Sequence, residues 1–314
     1  MTRVWPFLAL ILIGAAWGGT QPLSKVAVSD GYRHFGLIFW QVALSGAAMA
    51  GLTVLRGRGL PLHGRALGLY LVVGLVGSVF PGITAYQGMV HLPSGVMSIL
   101  IAAVPLVAFP LAMALGMERL RPLRLLGLLM GLAGVALLVV PENGLPPGVD
   151  PIWVLIVLLG PVCYAIEGNY VALNGTEGMD PVQVLTGASF VAALASLPLA
   201  LLTGQFIVPH WPLGAPDLAL LASTALHTLA YGGYVWLIGF AGSVFAAQVA
   251  YLVTLFGISW AMLFLGEGYS GWVWAALAVM LSGVALVQPR PASDASASKA
   301  ALAPEGDAGQ NANV

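Results

Sequence analysis

Two ionisable side chains fall deep inside long apolar runs, where a charge is costly and a titratable group is by default a candidate for function. Glu167 stands 15 residues beyond the start of a run that opens at residue 152, roughly 22 Å along a helix that rises ~1.5 Å per residue. Its carboxyl can exchange a proton or meet a cationic ligand. His227 lies near the middle of the run 217–239, close in sequence to Tyr231 and Tyr234; a neutral imidazole donates, accepts and titrates in the physiological range. Glu167 and His227 are therefore the two candidates for proton coupling. Around them is a wider set suited to holding a small molecule. Trp17, Gln21 and Lys25 recur at i, i+4 and i+8 and so share one helix face. Gln41, Gln87 and Gln248 add amides, and Tyr86, Tyr164, Tyr231 and Tyr251 add rings for stacking or cation–π contact. Each has a structural use as well, since an interhelical hydrogen bond is worth about 0.6 kcal/mol in a membrane bundle. Lys25, one turn from the end of its run, is suited to reaching the interface with its head group.

Other chemistries lack their residues. The five histidines, at 34, 63, 91, 210 and 227, form no His-x-x-His or His-Glu-x-x-His pair, so no metal site is expected. There is no phosphate-cradling Gly-Lys-Ser/Thr motif and no aspartate cluster for Mg²⁺. No catalytic residue, cofactor or enzymatic activity is expected. The single Cys163 can form no intrachain disulfide.

The elements that must position these residues follow from composition. Of 314 residues, 7% are charged and 59% hydrophobic, with a net charge of −1; mean hydropathy is +0.94. Such a chain cannot cover itself with a water-facing surface, and it has no basic footprint for nucleic acid. In lipid only helices and closed barrels satisfy the backbone. Barrel strands alternate apolar and polar over about ten residues, and these runs do not alternate. Breaks at charges and at Gly/Pro/Asn/Asp clusters give ten spans: 6–28, 34–55, 66–87, 93–116, 123–140, 152–173, 181–203, 217–239, 243–265 and 271–288. Trp5, Trp153, Trp272 and Trp274 fall at span ends, as interfacial anchors do. Glu118 and Glu267 are expected to brace the turns before the fifth and tenth spans. Placing the N-terminus in the cytoplasm puts nine of the eleven Lys and Arg inside and leaves only Lys25 and Arg33 outside. That orientation predicts a multi-pass protein of the cell (inner) membrane with both termini cytoplasmic.

The chain also matches itself. At an offset of 149, residues 94–137 pair with 243–286 at 12 of 44 positions, including Ser94/Ser243, Glu118/Glu267 and the run Gly134-Val135-Ala136-Leu137 against Gly283-Val284-Ala285-Leu286. Earlier in each half the register shifts by two, and Asp30-Gly31 meets Glu177-Gly178 while Trp17 meets Tyr164. The fold class is therefore all-α integral membrane, ten transmembrane helices as two inverted five-helix repeats. Residues 1–145 are expected to form the first repeat, 146–288 the second, and 289–314 a disordered cytoplasmic tail. Five is odd, so the second repeat enters the membrane from the opposite side, as in many secondary transporters.

These features together resemble the EamA-type branch of the drug/metabolite transporter superfamily. The resemblance rests on the five-plus-five spans, Ala16-Trp17-Gly18, the span ends Gly116-Met117-Glu118-Arg119 and Leu265-Gly266-Glu267-Gly268, and the Gly-Val-Ala-Leu close of spans five and ten. Family members often carry an Arg early in the second span, where this chain has Trp40-Gln41. The resemblance implies a substrate cavity between the halves, lined mainly by spans 1, 3, 4, 6, 8 and 9, and small metabolites as substrates. The expected function is secondary transport by alternating access, most naturally amino-acid or related metabolite export. Efflux of polyamines or cationic drugs is the alternative, and a membrane-embedded enzyme a weaker one. The expected partners are a small-molecule substrate and the lipid bilayer, the protein acting as a monomer or weak homodimer.

Overall fold

In the computed structural model the structure describes residues 5–119, 122–141, 145, 147–209, 211–241 and 249–287, and these are helical wherever they are regular. In chain order the helices are α1 (Trp5–Ser29), α2 (His34–Leu55), α3 (Gly64–His91), α4 (Ser94–Ala114), α5 (Pro122–Val139), α6 (Ile152–Asn174), α7 (Pro181–Leu202), α8 (Ala215–Ala241), α9 (Val249–Leu265) and α10 (Gly271–Val287). The helices α1 to α7 are each long and apolar enough to cross a membrane. The described part of α8 has 27 residues, and those of α9 and α10 have 17 each. The fold is the all-helical membrane fold expected. Residues 289–314, Gln248 and Ser243 lie outside the described residues.

Large apolar side chains point outward, as a lipid-facing surface requires: Leu12, Leu132 and Phe264 are 68%, 68% and 69% exposed. Local signals set the helix ends. Asp180 accepts from the Gln183 N–H at 2.9 Å while Gln183 returns a bond to the Asp180 N–H, a reciprocal cap on α7 helped by Pro181 at its first position. The repeat-matched turns reverse alike, for Gly31 and Gly178 both take positive φ, 96° and 75°.

The packing repeats the sequence symmetry. Helix α1 packs on α8 and α9, and its counterpart five helices on, α6, packs on α3 and α4. The pairs α2 with α7, α4 with α9 and α5 with α10 each map onto themselves. Close approach needs small residues. A Cβ on Gly18 would stand 2.7 Å from the Gly257 nitrogen and 2.8 Å from the Val253 oxygen, so that glycine is what lets α9 lie against α1 and presents its neighbour Trp17 towards α8.

The bundle ends are tied by polar groups. On the face carrying the α1–α2 turn, the Lys25 Nζ donates to the carbonyls of Met89 and Leu92 at 2.5 and 3.0 Å, closing the end of α3 rather than reaching only for the interface. Glu267 does more than tie the turn before α10 through Tyr269. Its carboxylate crosses to the other half and accepts from the Ser94 N–H and Oγ–H and the Gly95 N–H at 2.9, 3.0 and 3.3 Å, capping α4, while Tyr269 also donates to it. Glu118 pairs with Arg124 of α5 at 2.9 Å. On that opposite face Arg58 meets Asp180 at 3.3 Å and joins α2 to α7.

Candidate functional site

Halfway along α3 the helix changes pitch, and the sequence says why. Pro81 has no N–H to offer the carbonyl four residues back, on Gly77, and residues Val72–Val79 are wound as a π-helix, with the Phe80 N–H bonding five residues back to the Leu75 oxygen. Such segments concentrate at functional sites. Gly77 lacks a Cβ, and the space this leaves is filled by the Glu167 carboxyl of α6: a Cβ there would lie 2.6 Å from the Glu167 Cδ and 2.7 and 2.9 Å from its oxygens. Glu167 is half-buried. Among the described residues it has neither an ion-pair partner nor a hydrogen-bond donor. The phenols of Tyr164 and Tyr231 lie near enough to interact with it electrostatically.

Across the bundle, Trp17 is the midpoint of the 25-residue α1. Three rings of α8 stand edge-on to it: His227, Tyr231 and Tyr234, with centroids 5.6, 6.2 and 5.8 Å away. Tyr231 packs edge-on to Trp17 and lies within electrostatic reach of Glu167, so the Trp17–His227 cluster and the Glu167 carboxyl belong to one central region. Tyr86 of α3 is buried, donates to the Gln41 Oε1 at 2.6 Å and interacts electrostatically with Tyr164. The structure thus brings together Trp17, Tyr86, Gln41, Tyr164, Glu167, His227 and Tyr231. Gln21 is half-buried one turn beyond Trp17, and Tyr251 lies in the first described turn of α9. Among the described residues no three His, Cys, Asp or Glu side chains gather as metal ligands.

Gln87 belongs elsewhere. It lines a cavity of about 280 Å³ at the α1–α2 end of the bundle, with Arg33, His34, His91, Trp153 and Gln205, and Tyr86 forms its inner border. Sequence reading missed both this mouth and Gly77. The first joins four separate segments and has no local signature. The second has one, a glycine four residues before a proline inside a span, which marks a broken helical ladder with room beside it.

The profile described as "EamA-like transporter family" matches twice, over residues 4–140 and 151–288. The chain is 25% identical over 292 residues to an uncharacterized inner membrane transporter of Escherichia coli K12, YedA, with 90% of each chain covered. It is 26% identical over 297 residues to an uncharacterized transporter of Bacillus subtilis strain 168, YvbV, covering 92% of each. One crystal structure superposes with a TM-score of 0.56 at 20% identity, over 91% of this chain and 97% of that one, which is a likeness of fold.

Proposed function

The chain belongs to the EamA-like transporter family and is a membrane transporter rather than an enzyme, and we propose that it moves small amino compounds, amino acids foremost, by alternating access. In this reading Glu167 takes either the substrate's ammonium group or a proton. The observation that carries it is a mid-bundle carboxyl with no cation or donor of its own among the described residues, set beside Tyr164 and Tyr231 and facing the Gly77 gap. An unpaired carboxylate in a lipid-embedded bundle is costly, and a proton or a ligand cation removes that cost. Because both compete for one group, binding of one releases the other, which couples their movement. Trp17, Tyr164 and Tyr231 supply ring faces that suit an ammonium. Multiply charged phosphates would meet no permanent cation on α6 or α8, since Lys and Arg are absent between residues 124 and 290.

The two inverted halves supply the machinery, since a repeat and its mirror in topology can exchange conformations and open one midplane site to either side. We place the protein in the inner membrane with both termini cytoplasmic, on the bias of Lys and Arg, and expect export as a monomer or weak homodimer. Reconstituted protein in liposomes loaded with amino acids, amines and sugar phosphates tests the reading by mass spectrometry of what leaves, with and without a pH gradient. Selective, gradient-dependent release of amino acids that Glu167→Gln uncouples from pH supports it. Release of sugar phosphates, or transport whose pH dependence survives Glu167→Gln, overturns it.

A further inference from the structure

We propose a second ligand site at the mouth of the bundle, in which Arg33 takes the carboxylate of a small molecule of amino-acid size. This inference does not rest on the role given to Glu167. The cavity holds about 280 Å³, the space of about nine waters at ~30 Å³ each. It is separate from the central carboxyl, for Gln87 lies ten residues from Gly77, about 15 Å along α3.

The lining is built for a single negative charge. Arg33 has no acid within ion-pair distance among the described residues, and no acid is among the residues that line the cavity. Two carboxylates of this face are committed elsewhere, and Asp30, three residues before Arg33 in the same turn, forms no ion pair with it. Asp217 accepts from the Tyr32 hydroxyl at 2.5 Å and the Gly214 N–H at 2.8 Å, and Glu267 caps α4. Gln205 spends its oxygen on the Phe35 N–H at 3.2 Å, which leaves its amide N–H groups as donors beside Arg33. One guanidinium with flanking amide donors matches the planar fork of a carboxylate. The opposite wall is flat and aromatic, since His91 stacks on Trp153 with centroids 3.8 Å apart and planes 11° off parallel. That wall suits the apolar part of the same ligand. An uncommitted permanent cation, donors and a ring wall around one cavity make a carboxylate site, and its inner border, Tyr86, also touches the central cluster.

The full-length protein in nanodiscs, titrated with 4-fluorophenylacetate and observed by fluorine NMR, tests this. The expected result is saturable broadening in the millimolar range, weakened about tenfold or more by Arg33→Gln. The effect should persist in Glu167→Gln and in Arg58→Gln, whose arginine sits on the opposite face paired with Asp180. The amine analogue 4-fluorophenethylamine should be indifferent to Arg33→Gln. Arg33 is exposed and has no ion-pair partner among the described residues, so its replacement removes no described tie of the fold. No saturable binding beyond empty nanodiscs overturns the proposal. Equal binding by Arg33→Gln does so too, as does loss of carboxylate binding in Glu167→Gln, which would assign the probe to the central site. Failure of amino-acid transport with a positive result here would sink only the reading of Glu167.

Discussion

Replacing Gly77 by alanine should make the protein slightly more stable and markedly worse at its work. The added Cβ would stand 2.6 Å from the Glu167 Cδ, and ordinary contact begins near 3.4 Å, so the carboxyl must withdraw by about 0.8 Å. It can do so, because the obstructing atoms are the end of a flexible side chain rather than backbone. The fold therefore absorbs the change, and the loss of glycine's backbone freedom in a helix contributes about 0.5–1 kcal/mol of stability. A ligand cation bound to the displaced carboxylate loses much of a charge-assisted contact worth about 1.5–3 kcal/mol. That corresponds to roughly a 10- to 150-fold rise in half-saturating substrate concentration. Counterflow in proteoliposomes, with an amino acid the liposome assay releases, measures this, and thermal unfolding in detergent measures the stability. Glu167→Asp in the same background, shorter by one methylene, should recover part of the affinity by making room for the Cβ. Transport by Gly77→Ala within twofold of wild type, in protein equally stable, would refute the assignment of this contact to the ligand. A large loss of stability would refute the claim that only the carboxyl tip moves.

Other consequences follow from the bundle's ties. Glu267→Ala leaves the Ser94 and Gly95 N–H groups and the Tyr269 hydroxyl without their acceptor. The expected cost is about 2–4 kcal/mol, read as a lower midpoint of thermal unfolding, with Glu267→Gln falling between the two. Gly18→Val should be far worse than Gly19→Ala in the same measurement. The first drives its Cβ into α9 backbone at 2.7 Å, whereas the second meets its nearest atom at 3.5 Å, so overpacking of about 1–3 kcal/mol applies to one and not the other. Tyr32, in the turn between α1 and α2, has its phenol pushed up to about 12 by burial and then by its bond to Asp217. A phenol whose folded pKa is raised gives stability that is whole below the ordinary value of 10.0 and is lost as pH rises through about 12. Tyr32→Phe should therefore flatten the alkaline decline of the unfolding midpoint between those two pH values, and an unchanged slope would deny the coupling.

The helices were legible because each is a long apolar run closed by charge or by a turn, and such runs have one solution in lipid. What sequence could not supply was the partner of each polar group. Glu267 has the same local surroundings as Glu118, yet one caps a helix of the other half while the other pairs with Arg124, six residues further along its own half. The choice is made by which helices the halves bring together. Lys25 looked like a residue reaching for the interface because its run ends nearby, but the end of α3, distant in sequence, is where its donors go. Glu167 was found because a carboxyl in an apolar run is conspicuous whatever surrounds it. Gly77 was not, because its meaning depends on Pro81 and on a side chain ninety residues away.

The internal repeat makes the position of Glu167 more telling than its burial. In the register that matches Trp17 with Tyr164, Glu167 matches Thr20. The Thr20 hydroxyl bonds back to the Trp17 carbonyl at 2.7 Å and asks nothing of a ligand, and the helix packed on that wall, α8, carries His227, Tyr231 and Tyr234. On the equivalent wall, α6 carries the carboxyl, and α3, packed against it, has at Gly77 no side chain at all. One scaffold, used twice, thus offers an aromatic wall on one side and an acidic gap on the other. A structural carboxyl would be expected to find a donor in so closely packed a bundle, as Glu118 and Glu267 both do. That the second copy places its acid where the π-segment of α3 leaves a gap argues that the vacant partner is a ligand. It also predicts an oriented one, with its ammonium towards α6 and its apolar part against Trp17. Trp17→Ala should then weaken larger apolar amino acids more than small ones, while Glu167→Gln should weaken all of them alike.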